Sequence, residues 1–392
     1  MLVDMADMLR HAQSHGYAVG AFDLVSLDFL QAILAGAEHQ CAPVILSLAE
    51  SHHSYFDPEL LMPAVRVAAE RARVPVAVHL DHGSSLEAAV QGIRLGFNGV
   101  MVDASTQPLA ENIARTRAVA EMAHACGVPA EGELGYVAGV EGEDADRHPG
   151  EVIYTAPEEA ERYVRETGVD FLAVSIGTVH GRMRGEPRLD FDRLAAIRAR
   201  VSVPLVIHGG TGLSDAQFRR LIDHGVAKIN YYTALADAAG AAIRGNAQAV
   251  DRGSYTDLVR GSQDAICAEV ERCVALWGGA GQAEAVLAAC RPWREVEHLI
   301  FYNTRDLPED QSRAMMAEGR RVLSAIPGVR RVVTGTSVAD GAPYRHCWAV
   351  RFSHPAVIDS YRDHPDHQAF ANGLFRPLAA DRITIDFQHV LD

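Results

Sequence analysis

No apolar run in this 392-residue sequence approaches the ~20 residues needed to span a bilayer. Its first residues, MLVDMADMLRHAQSHG, lack the basic start, apolar stretch and small-residue cleavage site of an export signal. Both absences make a cytoplasmic location, away from any membrane, the expectation. Positive charge is also scarce: 36 Lys and Arg stand against 51 Asp and Glu, for a formal net charge of −15. Phosphate backbones are bound through clustered Lys and Arg, so nucleic acid is not an expected partner. A small anion stays open, because a few aligned backbone amides hold a phosphate whatever the global charge. The six cysteines (Cys41, Cys126, Cys267, Cys273, Cys290, Cys347) form no CxxC pair and no regular framework. They are expected to be reduced thiols rather than disulfides.

What the sequence does contain is a repeating unit. From about residue 16 to 230, a short apolar run ending in polar residues is followed by an amphipathic helical pattern. The runs are Tyr17–Phe22, Pro43–Leu48, Pro75–Leu80, Gly99–Val102, Val128–Glu133, Phe171–Ser175, Pro204–Ile207 and Ala227–Asn230. Near-continuous apolar strands are what a parallel sheet covered by helices requires. Ser84 with Glu87, and Thr155 with Glu158, fit capping boxes at helix starts. Gly127, Gly168 and Gly225 stand where left-handed helix ends precede a new strand. Eight such units predict an α/β fold of the (β/α)8 TIM-barrel type rather than an open doubly wound sheet.

The pattern changes around Trp277–Trp293. Beyond it the order is strand (Val296–Tyr302), helix (Pro308–Ile326), strands (Arg330–Thr336 and His346–Phe352), helices (Pro355–Arg362, Pro365–Leu374) and strand (Arg382–Gln388). That order predicts a ferredoxin-like α+β domain. The expected division is a barrel over 1–285, a linker over 286–294 and the α+β domain over 295–392.

Polar residues gather where the apolar runs stop: Asp81 and His82, Asp103, Glu133, His180, His208 and Asn230. In a (β/α)8 barrel all strand C-termini open on one face, which would bring these distant positions together. A lone histidine at a strand end is ordinarily structural or solvated. Three at three strand ends (His82 in HLDHG, His180 in GTVHG, His208 in VIHGG) match a catalytic metal site with an open position. Asp81 would adjoin that position, where a general acid is useful; its alternative role is to orient a histidine. The loop Gly209-Gly210-Thr211-Gly212 leads into a helix capped by Ser214, and Asn230-Tyr231-Tyr232-Thr233 follows the eighth run. Loops after strands seven and eight commonly hold a phosphate in this fold. A third segment, Gly139-Val140-Glu141-Gly142-Glu143-Asp144, reads by itself as an acidic surface loop, although such loops can close over a substrate.

At this point the first 283 residues or so resemble the class II, metal-dependent fructose- and tagatose-bisphosphate aldolases. The resemblance is carried by HLDHG, MVDAS, EGELGYVAGVEGED, AVSIGTVHG, GEPRLDFDRL, IHGGTGL and KINYYTAL in order and spacing. It implies that His82, His180 and His208 bind a catalytic zinc ion, with Asp103 and Glu133 serving a secondary or displaced metal position. Asp81 would polarise or protonate the aldehyde oxygen, and Glu141 would exchange a proton of the dihydroxyacetone-phosphate moiety. Gly181, Gly209, Gly210, Thr211, Asn230 and Thr233 would bind the phosphate, and Tyr231 and Tyr232 of the same segment are counted with them as phosphate-site candidates. A monovalent cation is a further cofactor candidate, and a homodimer or homotetramer is expected. Departures lie in Asp23 and Ser26 (Asn is usual), Ser47 and Ala49 (Gln and Ser), Arg184 (Lys) and Gln263. At Gln263 the family has a Pro-x-Arg segment, and Arg260 is a candidate substitute. These departures fall on the aldehyde half of the substrate. Two alternatives follow, an aldolase for a non-standard aldehyde or a non-catalytic sugar-phosphate-binding barrel.

Residues from about 295 to 392 resemble the stress-responsive dimeric α/β-barrel (Dabb) family through His298, Ile326–Val329 (IPGV) and the Tyr361-Arg-Asp-His364-Pro-Asp-His367 arrangement. The resemblance implies either pairing with a second copy, the favoured role, or a second site at Tyr361, His364 and His367.

Overall fold

Each apolar run becomes a strand, and the eight strands close into one parallel barrel in sequential order. The structure is a computed structural model describing residues 1–140, 142–145, 152–182, 187–249, 251–305 and 307–388. The strands are β1 (Val19–Asp23), β2 (Val44–Ala49), β3 (Val76–Gly83), β4 (Gly99–Val102), β5 (Ala130–Leu134), β6 (Phe171–Val174), β7 (Leu205–Ile207) and β8 (Val226–Tyr231). Closure is made by β1 pairing with β8. Helices α1 (Met5–His15), α2 (Leu27–His39), α3 (Pro58–Arg71), α4 (Leu86–Leu95), α5 (Leu109–Ala125), α6 (Pro157–Thr167), α7 (Phe191–Arg198) and α8 (Asp215–Asp223) precede or connect them. After β8 come α9 (Thr233–Ala249), α10 (Tyr255–Leu258), α11 (Ser262–Leu276) and α12 (Ala283–Ala289).

One end of the barrel is filled with hydrocarbon. Met5, Met8 and Leu9 of α1 pack with Val19, Ala21, Ile45, Ala77, Phe171, Ala173 and Val206 in one buried cluster. That layer leaves only the opposite mouth, at the strand C-termini, for chemistry. Val286 and Cys290 join the same cluster, so the stretch read as a linker begins inside α12 and its packing.

Gly127, Gly168 and Gly225 all take positive φ, as left-handed helix ends require. The two capping boxes read from sequence are not formed. α4 is capped by Ser85, whose Oγ accepts from the Ala88 amide, while Ser84 donates to Glu50. Ala156 occupies the cap position of α6. The Thr155 hydroxyl instead donates to the Leu134 carbonyl and accepts from the Ser175 amide. In both cases a tertiary partner outcompeted the local one. Ser214 does form a full capping box with Gln217 on α8.

A second compact unit holds the chain from Trp293 onward. Its strands β9 (Val296–Thr304), β10 (Val329–Thr336), β11 (His346–Phe352) and β12 (Ala379–Gln388) form an antiparallel sheet in the order β10-β11-β9-β12. With α13 (Glu309–Leu323), α14 (Val357–Asp363) and α15 (Pro365–Phe370) this is the ferredoxin-like arrangement. Burial alternates along β11, where His346, Trp348, Val350 and Phe352 are buried. The opposite face leaves Phe301, Val333, Ile383 and Ile385 exposed. All six cysteines are free. Among the described residues no helix is long and apolar enough to cross a membrane.

Candidate active site

Side chains alternate along each strand, so the inward positions of the barrel can be listed by parity. On β5 they are Glu131 and Glu133, on β8 Lys228 and Asn230, on β3 His79 and Asp81, and His208 follows β7. Two layers result. The deeper one is a fully buried charge cluster: Lys228 Nζ lies 3.0 and 2.8 Å from the two Glu131 oxygens, with His79 Nε2 3.6 Å from Oε2. Lys228 is the only lysine in the chain. Sequence reading missed this layer, although a polar or charged residue at every second position of EGE and KIN was a weak available signal.

The upper layer holds the three predicted histidines. His82 and His208 approach to 3.0 Å, Nε2 to Nδ1, and the three rings have centroids 4.7, 4.9 and 5.8 Å apart. Each ring is anchored through its other nitrogen. Asp103 Oδ2 accepts from His82 Nδ1 at 2.9 Å, the Val137 carbonyl from His180 Nδ1 at 3.1 Å, and Glu131 Oε1 from His208 Nε2 at 3.1 Å. Asp103 is itself fixed by the amide and hydroxyl of Ser105. The nitrogens left over lie within 4.8 Å of one another. His180 Nε2 is buried without a hydrogen-bond partner among the described residues. Carboxylate or carbonyl on one nitrogen, with the other nitrogens turned toward one another and Asp81 Oδ2 3.9 Å from His82 Nε2, fits the donor set of a metal-ligating triad.

Electrostatics suit a cation. Burial, then the charge of His82, lowers His180 to about 4, and burial also holds His208 well below its ordinary range. Both therefore present neutral imidazoles. His82 is raised, burial being outweighed by Asp81 and Asp103. Asp81 is fully buried and its oxygens have no hydrogen-bond partner among the described residues. Burial opposes its charge, yet His82, His208, Lys228 and His180 together hold it at about 2. Glu133 turns Oε1 to the Val137 amide and leaves Oε2 buried and unpartnered, with burial and then Asp103 raising it well above the carboxylate range. His82, Asp103 and Glu133 form a second cluster of potential ligands.

The predicted phosphate segments border this layer. Gly209 has φ 69°, and a Cβ there would come within 2.3 Å of the Val179 carbonyl oxygen, so only glycine lets the seventh loop lie against the His180 loop. Gly181 and Gly210 lie on the same two loops. The Thr211 hydroxyl accepts from the Ala234 amide and the Thr233 hydroxyl from the Gly142 amide. Asn230 is buried with both side-chain atoms unpartnered among the described residues. Tyr232 packs its ring 4.4 Å from His52. Tyr231 does not join them. As the outward neighbour of Asn230 it packs on Phe22, Phe218 and Trp277 and donates to Glu269, so its side chain belongs to the helical layer. Glu141 and Arg184 lie outside the described residues. Arg182, missed by sequence reading, ties loop 142–145 to α9 by donating to Asp237 and to the Gly142 carbonyl.

Of the departures, Ser26 caps α2. Gln263 donates to Asp28 and Gln31, and Arg260 is exposed and paired with Asp257. In the second unit, Tyr361 is buried with its ring 4.3 Å from His367. They line a cavity of about 360 Å³ with His298, Arg376, Arg382 and Asp386. His298 Nδ1 is 2.6 Å from Asp386 Oδ1, a cross-strand pair of β9 and β12. His364 does not line that cavity; its Nδ1 caps α15.

Comparison with known proteins agrees with this geometry. The family described as Fructose-bisphosphate aldolase class-II matches residues 3–282, and the Stress Responsive A/B Barrel Domain matches residues 296–389. The chain is 42% identical over 288 residues to the fructose-bisphosphate aldolase of Geobacillus stearothermophilus, covering 72% of this chain and 99% of that one. It is 41% identical over 251 residues to the fructose-bisphosphate aldolase of Staphylococcus aureus (strain Mu50), covering 62% and 85%. The crystal structure of the YdjI aldolase from Escherichia coli K12 superposes with a TM-score of 0.65 at 34% identity, over 72% of this chain and all of that one.

Proposed function

Because this chain belongs to the class II fructose-bisphosphate aldolase family, and so to the lyases, we propose that its barrel is a zinc-dependent aldolase. It reversibly cleaves a ketose bisphosphate, such as fructose- or tagatose-1,6-bisphosphate, into dihydroxyacetone phosphate and an aldehyde, glyceraldehyde 3-phosphate or a variant of it. His82, His180 and His208 would hold the ion, zinc being the divalent metal that a three-imidazole set with an open position suits best. Bound there, the metal supplies Lewis-acid polarisation of the ketol oxygens. Asp81 accepts the proton of the hydroxyl that becomes the aldehyde and returns it in the condensation direction. Glu141 moves the proton on the dihydroxyacetone-phosphate carbon, a role that rests on the family resemblance. The Gly209–Thr211 loop, Gly181, Asn230 and Thr233 hold the phosphate through amides, hydroxyls and the α8 N-terminus. Asp103 and Glu133 provide the second resting position for the ion, as well as anchoring His82 in the case of Asp103.

The observation that carries this reading is the anchoring of all three imidazoles through the nitrogen away from the shared centre. Lyase activity on both bisphosphates, measured before and after chelation and after zinc is restored, tests it. Full activity in metal-free protein would end it.

One observation favours a second reading, an aldolase for a non-standard aldehyde. Gln263 is turned to α2 and Arg260 to Asp257, so neither offers a free cation for a second phosphate. Condensing dihydroxyacetone phosphate with a panel of aldehydes separates the two. The C-terminal unit serves assembly of a homodimer or homotetramer: an apolar sheet face carrying Phe301, Val333, Ile383 and Ile385 is what a second copy would cover.

A further inference from the structure

Away from the barrel mouth, a different set of donors sits between α2 and α11. His39, in the last turn of α2, places Nδ1 2.7 Å from Glu271 Oε1 and 3.8 Å from Cys267 Sγ. Cys267 Sγ is 3.5 Å from the same Glu271 oxygen. Cys267 and Glu271 are four apart on α11 and so share one face of that helix. Packing, rather than side-chain reach, brings His39 over them. At Gly36 a Cβ would lie 2.9 Å from the Val270 side chain and 3.0 Å from the Cys267 carbonyl oxygen. The two backbones therefore meet one turn before His39, with Ile33, Ala37, Ile266 and Val270 buried around the contact.

We infer that His39, Cys267 and Glu271 form a second metal site, separate from the three-histidine site, which takes a thiophilic divalent ion of the zinc class. A nitrogen, sulfur and oxygen set selects zinc-like ions over magnesium or calcium, which take oxygen alone. Tetrahedral zinc with ordinary bond lengths separates such donors by about 3.4–3.6 Å. Two of the three separations are already within a few tenths of an ångström. The third, the hydrogen bond between His39 and Glu271, opens by rotation of the half-buried Glu271 side chain. His39 is largely exposed, so a fourth position stays open to water. Metal entry breaks the S–H bond of Cys267, forms the sulfur–metal bond and releases one proton to solvent. The ion would clamp the end of α2 to α11, whose start is already tied to α2 through Gln263, Asp28 and Gln31.

The test titrates cobalt(II) into metal-stripped full-length protein and follows absorption. The three-histidine site contains no sulfur, so a near-ultraviolet thiolate-to-cobalt charge-transfer band reports only a cysteine site. The expected band is complete once two ions per chain are taken up in the wild type, one for each site, and it persists in His208→Ala and Cys41→Ser. It disappears in Cys267→Ser, and in His39→Ala the affinity falls more than about tenfold, the least that a change around a metal brings. Should Cys267→Ser not fold, Glu271→Gln reads the same band with the same expected loss of affinity. No band in the wild type, or an unchanged band in the folded variants, overturns the site without touching the aldolase reading.

Discussion

Asp81 and His82 are consecutive in the chain, yet both face the same space, with Asp81 Oδ2 3.9 Å from His82 Nε2. In a regular strand neighbours point to opposite faces. The exception is made by a register shift between Leu80 and Gly83 and by the left-handed backbone of His82, φ 46°. A bulge of this kind re-aims a side chain, and positive φ in a residue other than glycine is held only where its surroundings compel it. The consequence is that the carboxylate of Asp81 and the imidazole of His82, the proposed acid–base group and metal ligand, share one space without a second strand being needed.

Asp81→Asn keeps that shape and removes only the proton acceptor. Turnover in the cleavage direction should fall by about two to four orders of magnitude, while zinc content measured by atomic absorption stays at the wild-type level. A fully active variant would remove Asp81 from the chemistry.

The single lysine makes a second prediction. Lys228 and Glu131 are fully buried and joined at 2.8 Å, and Glu131 also anchors His208. Lys228→Met leaves the Glu131 charge uncompensated in the barrel interior. Such a loss costs about 3–5 kcal/mol, read as a lower urea midpoint. Zinc affinity should fall with it, because His208 loses a fixed anchor. A variant as stable as the wild type would show that the pair is not charged in the folded protein.

The strands were legible because barrel strands covered by helices are apolar on both faces, so each appeared as an unbroken run such as Val76–Leu80. The convergence of His82, His180 and His208 followed from strand ends alone. What escaped had at most a weak one-dimensional signature, the alternating polar positions of EGE and KIN. Glu131, Lys228 and His79 each sit inside a strand whose apolar neighbours dominate the pattern, and only their mutual distance shows that they pair. The hydroxyls of Ser84 and Thr155 satisfied a local capping rule but found tertiary partners. His298 and Asp386 are separated by 88 positions and meet through sheet register. Tyr231 was grouped with the phosphate residues by proximity in sequence, whereas parity along β8 sends its ring outward.

The open sheet face of the C-terminal unit gives the third prediction. Phe301 and Ile383 are directly paired across β9 and β12, and both are exposed. Replacing both with Asp places two like charges opposite one another on a face that a second copy would have to bury. Sedimentation should show a smaller species than the wild type, with lyase activity per chain retained. An unchanged mass would place assembly elsewhere.

The central claim is that one divalent ion is held by imidazoles from three distant parts of the chain. Anomalous diffraction at the zinc edge, from crystals of the zinc-loaded protein, addresses it directly. The account predicts a peak about 2.0–2.1 Å from a nitrogen of each of His82, His180 and His208. Zinc-loaded crystals with no peak among those three rings would contradict it.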